Sequence, residues 1–297
     1  MKLALLLELG RVSNLPTVWS NVLCGVVLGG TAVAPLGVAL VLTSSSLLYV
    51  GGMLLNDAFD AEVDARERPE RPIPSGRASK REVFALGFEL LVGAVVLLAI
   101  YALLGASAVG YRLPLVGFVT ALTIVVYDRF HKGHAFAPLI MGLCRGELYV
   151  LAACAGASAA LSAPLFLAAA ALAVYVVGLT HIARFETASV VGRVWPTTLV
   201  LAPVLLAGLR LLQEPLPLME LAVAFSFLLL CSAWALRSVR LALRGGPGIG
   251  VAVGALIAGI SLVDAMLMAS HGASLWSFAA LLCFLLTLRW QRRIRGT

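Results

Sequence analysis

The sequence predicts an all-α fold: a polytopic membrane bundle of nine to ten transmembrane helices. Three observations carry this. Of 297 residues, 61% are hydrophobic and 12% charged, with a mean hydropathy of +1.00. A soluble domain carries about twice that fraction of charge. Ten apolar segments recur, near 15–34, 36–56, 82–104, 107–127, 135–158, 162–182, 195–212, 217–236, 250–270 and 273–289. Several are a little short of the usual span of about 20 residues. Finally, the basic residues alternate between segments. With the N-terminus in the cytoplasm, the inside segments hold 19 of 22 Lys and Arg residues, from Lys2 and Arg11 through Arg184 and Arg193 to Arg295. Arg112 and Arg210 fall outside, and Arg145 lies within a span. Such a bias sets orientation and predicts that both termini are cytoplasmic.

The chain reads as one domain, 1–297. Lys2 is followed by a short apolar run that Glu8 interrupts, without the small-residue cleavage site of a secretory signal. The five cysteines are scattered through apolar segments with no Cys-x-x-Cys, which suggests neither a disulfide framework nor a zinc site. No nucleic-acid partner is expected, since the net charge of +7 lies largely in the inside segments.

Taken in order, the first span opens with Arg11-Val-Ser-Asn14-Leu-Pro16. The second carries Thr43-Ser44-Ser45-Ser46 and Gly51-Gly52, small residues that permit close packing in lipid. It delivers Asn56, Asp57, Asp60 and Asp64 to the cytoplasmic face. Asn56, Asp60 and Asp64 are spaced i, i+4, i+8 and project from one helix face, with Asp57 beside them. Like charges so placed repel, and a cation relieves the repulsion. Asparagine and carboxylate oxygens are hard ligands suited to Mg2+, which commonly binds through one or two carboxylates plus substrate phosphates. Arg66, Arg68, Arg71 and Arg77 follow, and guanidinium groups match phosphate oxygens. Pro69, Pro72 and Pro74 stop the helix.

This run, Asn-Asp-x-x-Asp-x-x-x-Asp followed by Arg-Pro-x-Pro-Ser-Gly, resembles the first aspartate-rich motif of the UbiA superfamily of intramembrane prenyltransferases. The resemblance covers about twenty residues in order. It implies a bundle around a lipid-open cavity, with Mg2+ held against a prenyl diphosphate by Asn56 and the later aspartates. Asp57 is read as a further ligand, and Asp60 and Asp64 as acting in the reaction. The resemblance also implies that Asn14 faces the cavity, and that Lys132, after Tyr127 at the end of the fourth span, points to the diphosphate. The family usually has nine spans. Nine here would place the basic tail outside and ten keeps it inside, so ten is preferred.

Arg145 and Glu147 lie inside the fifth span. Charged groups there are costly and mark a pocket. Two residues apart on a helix they point in nearly opposite directions, so Arg145 is expected to face the cavity and Glu147 another helix. The family's second motif, typically Asp-x-x-x-Asp, falls at the end of the sixth span. There this chain has Thr180-His181-Ile-Ala-Arg184-Phe-Glu186-Thr187 and no aspartate. The half-sites thus lie near 56–76 and 180–187. Glu186 is the one hard anionic ligand of the second. Arg184 would neutralise diphosphate directly, and His181 would position or deprotonate an acceptor. Asp264, in the ninth span, reads as structural.

The expectation is a Mg2+-dependent membrane transferase. A polyprenyl diphosphate is the donor, and the acceptor is aromatic or bears a hydroxyl. Arg71, Lys132, Arg145, Arg184 and Asn14 bind substrate. Within the superfamily the motifs resemble chlorophyll-synthase-like, geranylgeranylglyceryl-phosphate and EboC-like branches, and the run around His181 favours the last. The rival readings are a non-catalytic lipid-diphosphate binder and a secondary transporter. Transporters bind near the midplane, whereas this polar cluster sits at the cytoplasmic edge.

Overall fold

The computed structural model describes residues 3–30, 32–104, 110–156, 161–186, 191–192 and 194–294. Lys2, Arg193 and Arg295 of the charge pattern, and Thr187 of the second half-site, lie outside them. No strand occurs among the described residues. A short helix α1 (Leu3–Leu9) precedes α2 (Leu15–Leu28), α3 (Pro35–Glu67), α4 (Lys80–Leu104), α5 (Arg112–Phe130) and α6 (Ala137–Ala153). Next come α7 (Ala163–Ala183), α8 (Ala202–Gln213), α9 (Leu218–Leu243), α10 (Pro247–Ser270) and α11 (Ser274–Gln291). The ten apolar segments become α2 to α11.

Among the described residues eight stretches are long and apolar enough to cross a membrane, by length and composition: α3, α4, α5, α7, the stretch Trp195–Gln213, α9, α10 and α11. α2 and α6 are shorter. The seventh segment differs from a plain helix. It begins as a 3-10 turn, Trp195–Leu201, before α8. The chain is an integral, multi-pass membrane protein.

Proline sets many of the helix starts. Pro16, Pro35, Pro138, Pro164 and Pro247 each occupy the first turn, where a missing N–H costs nothing. Ser162 caps α7, its hydroxyl accepting from the Leu165 N–H. α3 runs 33 residues, about 50 Å at 1.5 Å per residue, so it outreaches a hydrocarbon core of about 30 Å. Its last turns carry Asn56 to Asp64 to the membrane edge. It stops where Arg68 precedes Pro69, a position pushed out of the helical region.

Two apolar cores divide the bundle. One joins α2 to α6 around Val18, Val41, Leu91 and Leu98. The other gathers α6 to α11 around α10, whose residues from Ile260 to Ser270 are all buried. Small residues let the backbones approach. A Cβ at Gly25 of α2 would meet the Tyr149 carbonyl oxygen of α6 at 2.5 Å, and one at Gly142 of α6 would meet the Ala173 carbonyl oxygen of α7 at 2.5 Å. Close packing of this kind holds helices together where lipid supplies no hydrophobic drive.

Candidate active site

A cavity of about 260 Å3 opens between the two halves. Its walls are mostly apolar, among them Leu48, Met53, Ile124, Leu148, Leu179 and Ile257. Its charged lining side chains are Arg11, Arg68, Arg71, Asp128, Arg145 and Glu186, and Arg11 and Arg71 also reach the acid row of α3. Asn56, Asp57, Asp60 and Asp64 are all at most 9% exposed, brought together by their spacing on α3.

Each acid of the row meets a cation. Asp64 pairs with Arg71 at 2.8 Å, and Asp57 with Arg11 at 3.0 Å and Arg71 at 3.5 Å. Asp60 takes Lys132 at 3.2 Å and the His131 ring at 3.3 Å. Asn56 donates from Nδ2 to Asp128 Oδ1 at 3.1 Å, which leaves its carbonyl oxygen for another partner. Unpaired, so many buried charges would be costly. Paired, the row is largely neutralised by its neighbours.

Local structure explains the placement of these cations. Arg11 has φ 43, the one positive-φ non-glycine residue among those described. Such a conformation costs about 1–3 kcal/mol and clusters at functional sites. It turns the chain between α1 and α2 where the guanidinium meets Asp57. The segment after α3 folds back through the bonds Arg71 N–H to Arg68 O and Ser75 N–H to Arg71 O. Arg77 fastens it to Glu8 of α1 with two bonds of 2.9 and 3.0 Å. Lys132 follows α5, whose last turn stacks Tyr127 on His131 with ring centres 5.0 Å apart.

Asn14 lies on the cavity wall, 2% exposed, and its Oδ1 accepts from Gln291 of α11 at 3.0 Å. Arg145 is also on the wall, over the Tyr49 ring at 5.3 Å, and Glu147 turns to α5, accepting from Thr123 at 2.9 Å.

The second half-site is divided. The stripe of α7 that lines the cavity is Val176, Leu179, Thr180 and Ala183. Glu186 follows it into the cavity and meets Arg68 at 3.7 Å, with Oε1 buried and unpartnered. Burial pushes its carboxyl above the usual range, while Arg68, Arg11 and Arg71 pull it back. His181 is about 100° round the helix from Thr180. Its ring packs edge-on to Phe185 at 5.3 Å and is not among the cavity-lining side chains. Arg184 is exposed and donates to the His134 carbonyl oxygen at 2.9 Å. Neither is brought into the cavity, because they sit off the stripe that faces inward.

Several site residues escape a reading of the sequence. Arg11 and Arg68 read there as topogenic charge or as one of a run. Asp128, next to Tyr127, lines the cavity, and its Oδ2 is buried with no partner among the described residues. The signal that marks it is a lone acid at the end of an apolar span. Asp264, read as structural, is fully buried and hydrogen-bonded to Asn21 and Tyr149.

A model described as the UbiA prenyltransferase family matches residues 16–247. A digeranylgeranylglyceryl phosphate synthase of Ignicoccus hospitalis is 39% identical over 133 residues, which cover 44% of this chain and 39% of that protein. The chain thus spans about two fifths of the length of that relative. Among solved structures, an apo UbiA homologue from Aeropyrum pernix superposes with a TM-score of 0.66 at 17% identity, covering 87% of this chain and 96% of the other. A UbiA homologue from Archaeoglobus fulgidus bound to GPP and Mg2+ superposes with a TM-score of 0.60 at 15% identity, covering 93% and 99%. At such identities the superpositions show the shared fold.

Proposed function

The chain belongs to the UbiA prenyltransferase family, and on that premise we propose that it moves a prenyl group from a polyprenyl diphosphate to an acceptor within the membrane, releasing diphosphate. The observation that carries the reading is the buried row Asn56, Asp57, Asp60 and Asp64, whose acids pair with Arg11, Arg71 and Lys132, while Arg11 and Arg71 also line an apolar cavity. The A. fulgidus homologue binds GPP with Mg2+, and the I. hospitalis relative is named for a glyceryl phosphate product.

The residues present fit Mg2+. The donors are hard oxygens, and Asn56 keeps its carbonyl oxygen free. Among the described residues no group of three or more His, Cys, Asp or Glu side chains is placed to hold a metal ion by itself, so substrate phosphates would have to complete the coordination. Asn56, Asp57, Asp60 and Asp64 would hold it. When bound it supplies positive charge against the leaving diphosphate.

The protein's own groups do the rest. Arg71 and Lys132 exchange their carboxylates for phosphate oxygens, as Arg11 and Arg68 do at the same rim. Charge developing on the leaving group is met by fixed donors. The C1–O bond loosens, with the prenyl tail in the apolar cavity, and walls of Leu48, Ile124 and Leu179 keep water from competing. The acceptor hydroxyl or aromatic carbon bonds to C1 and gives up its proton. Asp128 Oδ2 and Glu186 Oε1, the unpartnered carboxylate oxygens of the cavity wall, are the groups placed to receive it.

Purified protein in nanodiscs, given labelled geranylgeranyl diphosphate and either an alkylglyceryl phosphate or a hydroxybenzoate, is expected to form labelled lipid product. EDTA should abolish this. Binding of the donor without any transfer would favour a non-catalytic lipid-diphosphate binder, a reading that the missing second aspartates would suit.

A further inference from the structure

We propose that Arg145 forms a second anion subsite, deep in the cavity, that reads a negatively charged group on the acceptor and is held in place by Asn21, Asp264 and Tyr149. The proposal rests on the transferase reading and names the acceptor's chemistry.

Depth separates this subsite from the diphosphate end. Arg145 lies over Tyr49, seven residues before Asn56 on α3. Its hydrogen-bond partner Asn21 lies seven residues after Asn14 on α2. At 1.5 Å per residue both helices put the guanidinium about 10 Å inward of the mouth. A diphosphate held at Asn56 to Asp64 therefore leaves its C1 between the two levels. An acceptor whose nucleophile meets C1 would carry its charge a few bonds further in.

The guanidinium is poised for a ligand. Of its five N–H donors, one is used among the described residues, Nη1 to Asn21 Oδ1 at 3.1 Å. Among the described residues no carboxylate lies within 4 Å of it. The nearby acid, Asp264, is already taken. Both its oxygens accept from Asn21 Nδ2, at 3.0 and 2.9 Å, and Oδ1 also accepts from the Tyr149 hydroxyl. Holding Nδ2 on Asp264 turns the Asn21 oxygen toward Arg145. Tyr49 covers one face of the guanidinium, and its remaining N–H edge can take two oxygens of one anion. A purely structural arginine in a membrane span would be paired with its own acid. Here the acid orients the partner of the arginine instead, so Asp264 and Asn21 are positioning residues. The chemistry fits a phosphate monoester or a carboxylate.

Binding to nanodisc-embedded protein tests this independently of turnover. The probes are an alkylglyceryl phosphate, its dephosphorylated alcohol, 4-hydroxybenzoate, and geranylgeranyl diphosphate with Mg2+. Wild type should bind at least one anionic probe roughly tenfold or more tighter than the neutral alcohol. Which anion binds identifies the source of the charge. Arg145→Gln should erase that preference and leave donor affinity unchanged. Asp264→Asn should weaken the anionic probe alone, by a smaller factor. If Arg145→Gln does not fold, the wild-type preference decides the matter. Equal binding of neutral and anionic probes, or binding of neither anion, overturns the subsite. Loss of donor binding in wild type would instead count against the transferase reading.

Discussion

Glu186 is the acid that the second half-site retains, and two of its properties bear on mechanism. One carboxylate oxygen is unpartnered in the cavity, and burial raises its pKa above the usual 4.5. The carboxylate form is lost as pH falls through the raised value. Activity that depends on the carboxylate should therefore decline on the acid side at a pH above 4.5. Glu186→Gln should lower kcat about 10- to 100-fold and abolish that acid limb, as a pH–rate profile would read. Arg68 and Arg184 separate in the same way. Arg68 lines the cavity and Arg184 is exposed against the His134 carbonyl. Arg68→Ala should weaken donor binding about tenfold, equivalent to about 1.4 kcal/mol, while Arg184→Ala should change it less than about twofold. Donor titrations of the two variants test this ordering.

At the scale of elements, the local half of the site was legible and the long-range half was not. Asn56, Asp60 and Asp64 share one face of one helix, so their spacing alone brings them together, and the prolines that follow mark its end. Arg145, Asn21 and Asp264 meet across sequence separations of 124 and 243 residues, and no periodicity reports such a meeting. His181 and Glu186 belong to one short run in the sequence. Which of them faces inward depends on the rotation of α7, set by contacts such as Gly142 and Gly146 against Ala173 and Ala169. Close approach also fixes the α2–α6 pair that carries Asn21 and Arg145. A Cβ at Gly25 would strike the Tyr149 backbone, and backbone yields less readily than a flexible side chain. Gly25→Ala should destabilise the protein by about 1–3 kcal/mol, read as a lower melting temperature in detergent. Gly93, with open space around an added Cβ, is the packing control: Gly93→Ala should leave the melting temperature near wild type.

For the whole molecule, the composition and ten apolar segments made the bundle legible, and the structure gives each segment a helix. The shortness of α2 and α6 was visible only in part. α2 loses its expected last turn and α6 ends at Ala153. Charge placement, with 19 of 22 basic residues in the segments assigned inside, predicts that both termini are cytoplasmic. Reporter fusions after Arg244 and at Thr297 should both read cytoplasmic, and an external signal at Thr297 would restore nine spans. On the scale of the molecule, the proposal is that α3 presents an acid row that the bundle surrounds with cations, and that a diphosphate claims those cations once a metal occupies the acids. Titration of geranyl diphosphate into wild type, Asp60→Asn and Asp64→Asn, each with Mg2+ and with EDTA, tests that claim most directly. Wild type should bind at least about 100-fold tighter with Mg2+ than with EDTA, about 2.7 kcal/mol, and each asparagine variant should lose most of that difference while its melting temperature stays near wild type. Equal binding of wild type with and without Mg2+, or an undiminished Mg2+ effect in both variants, would contradict it.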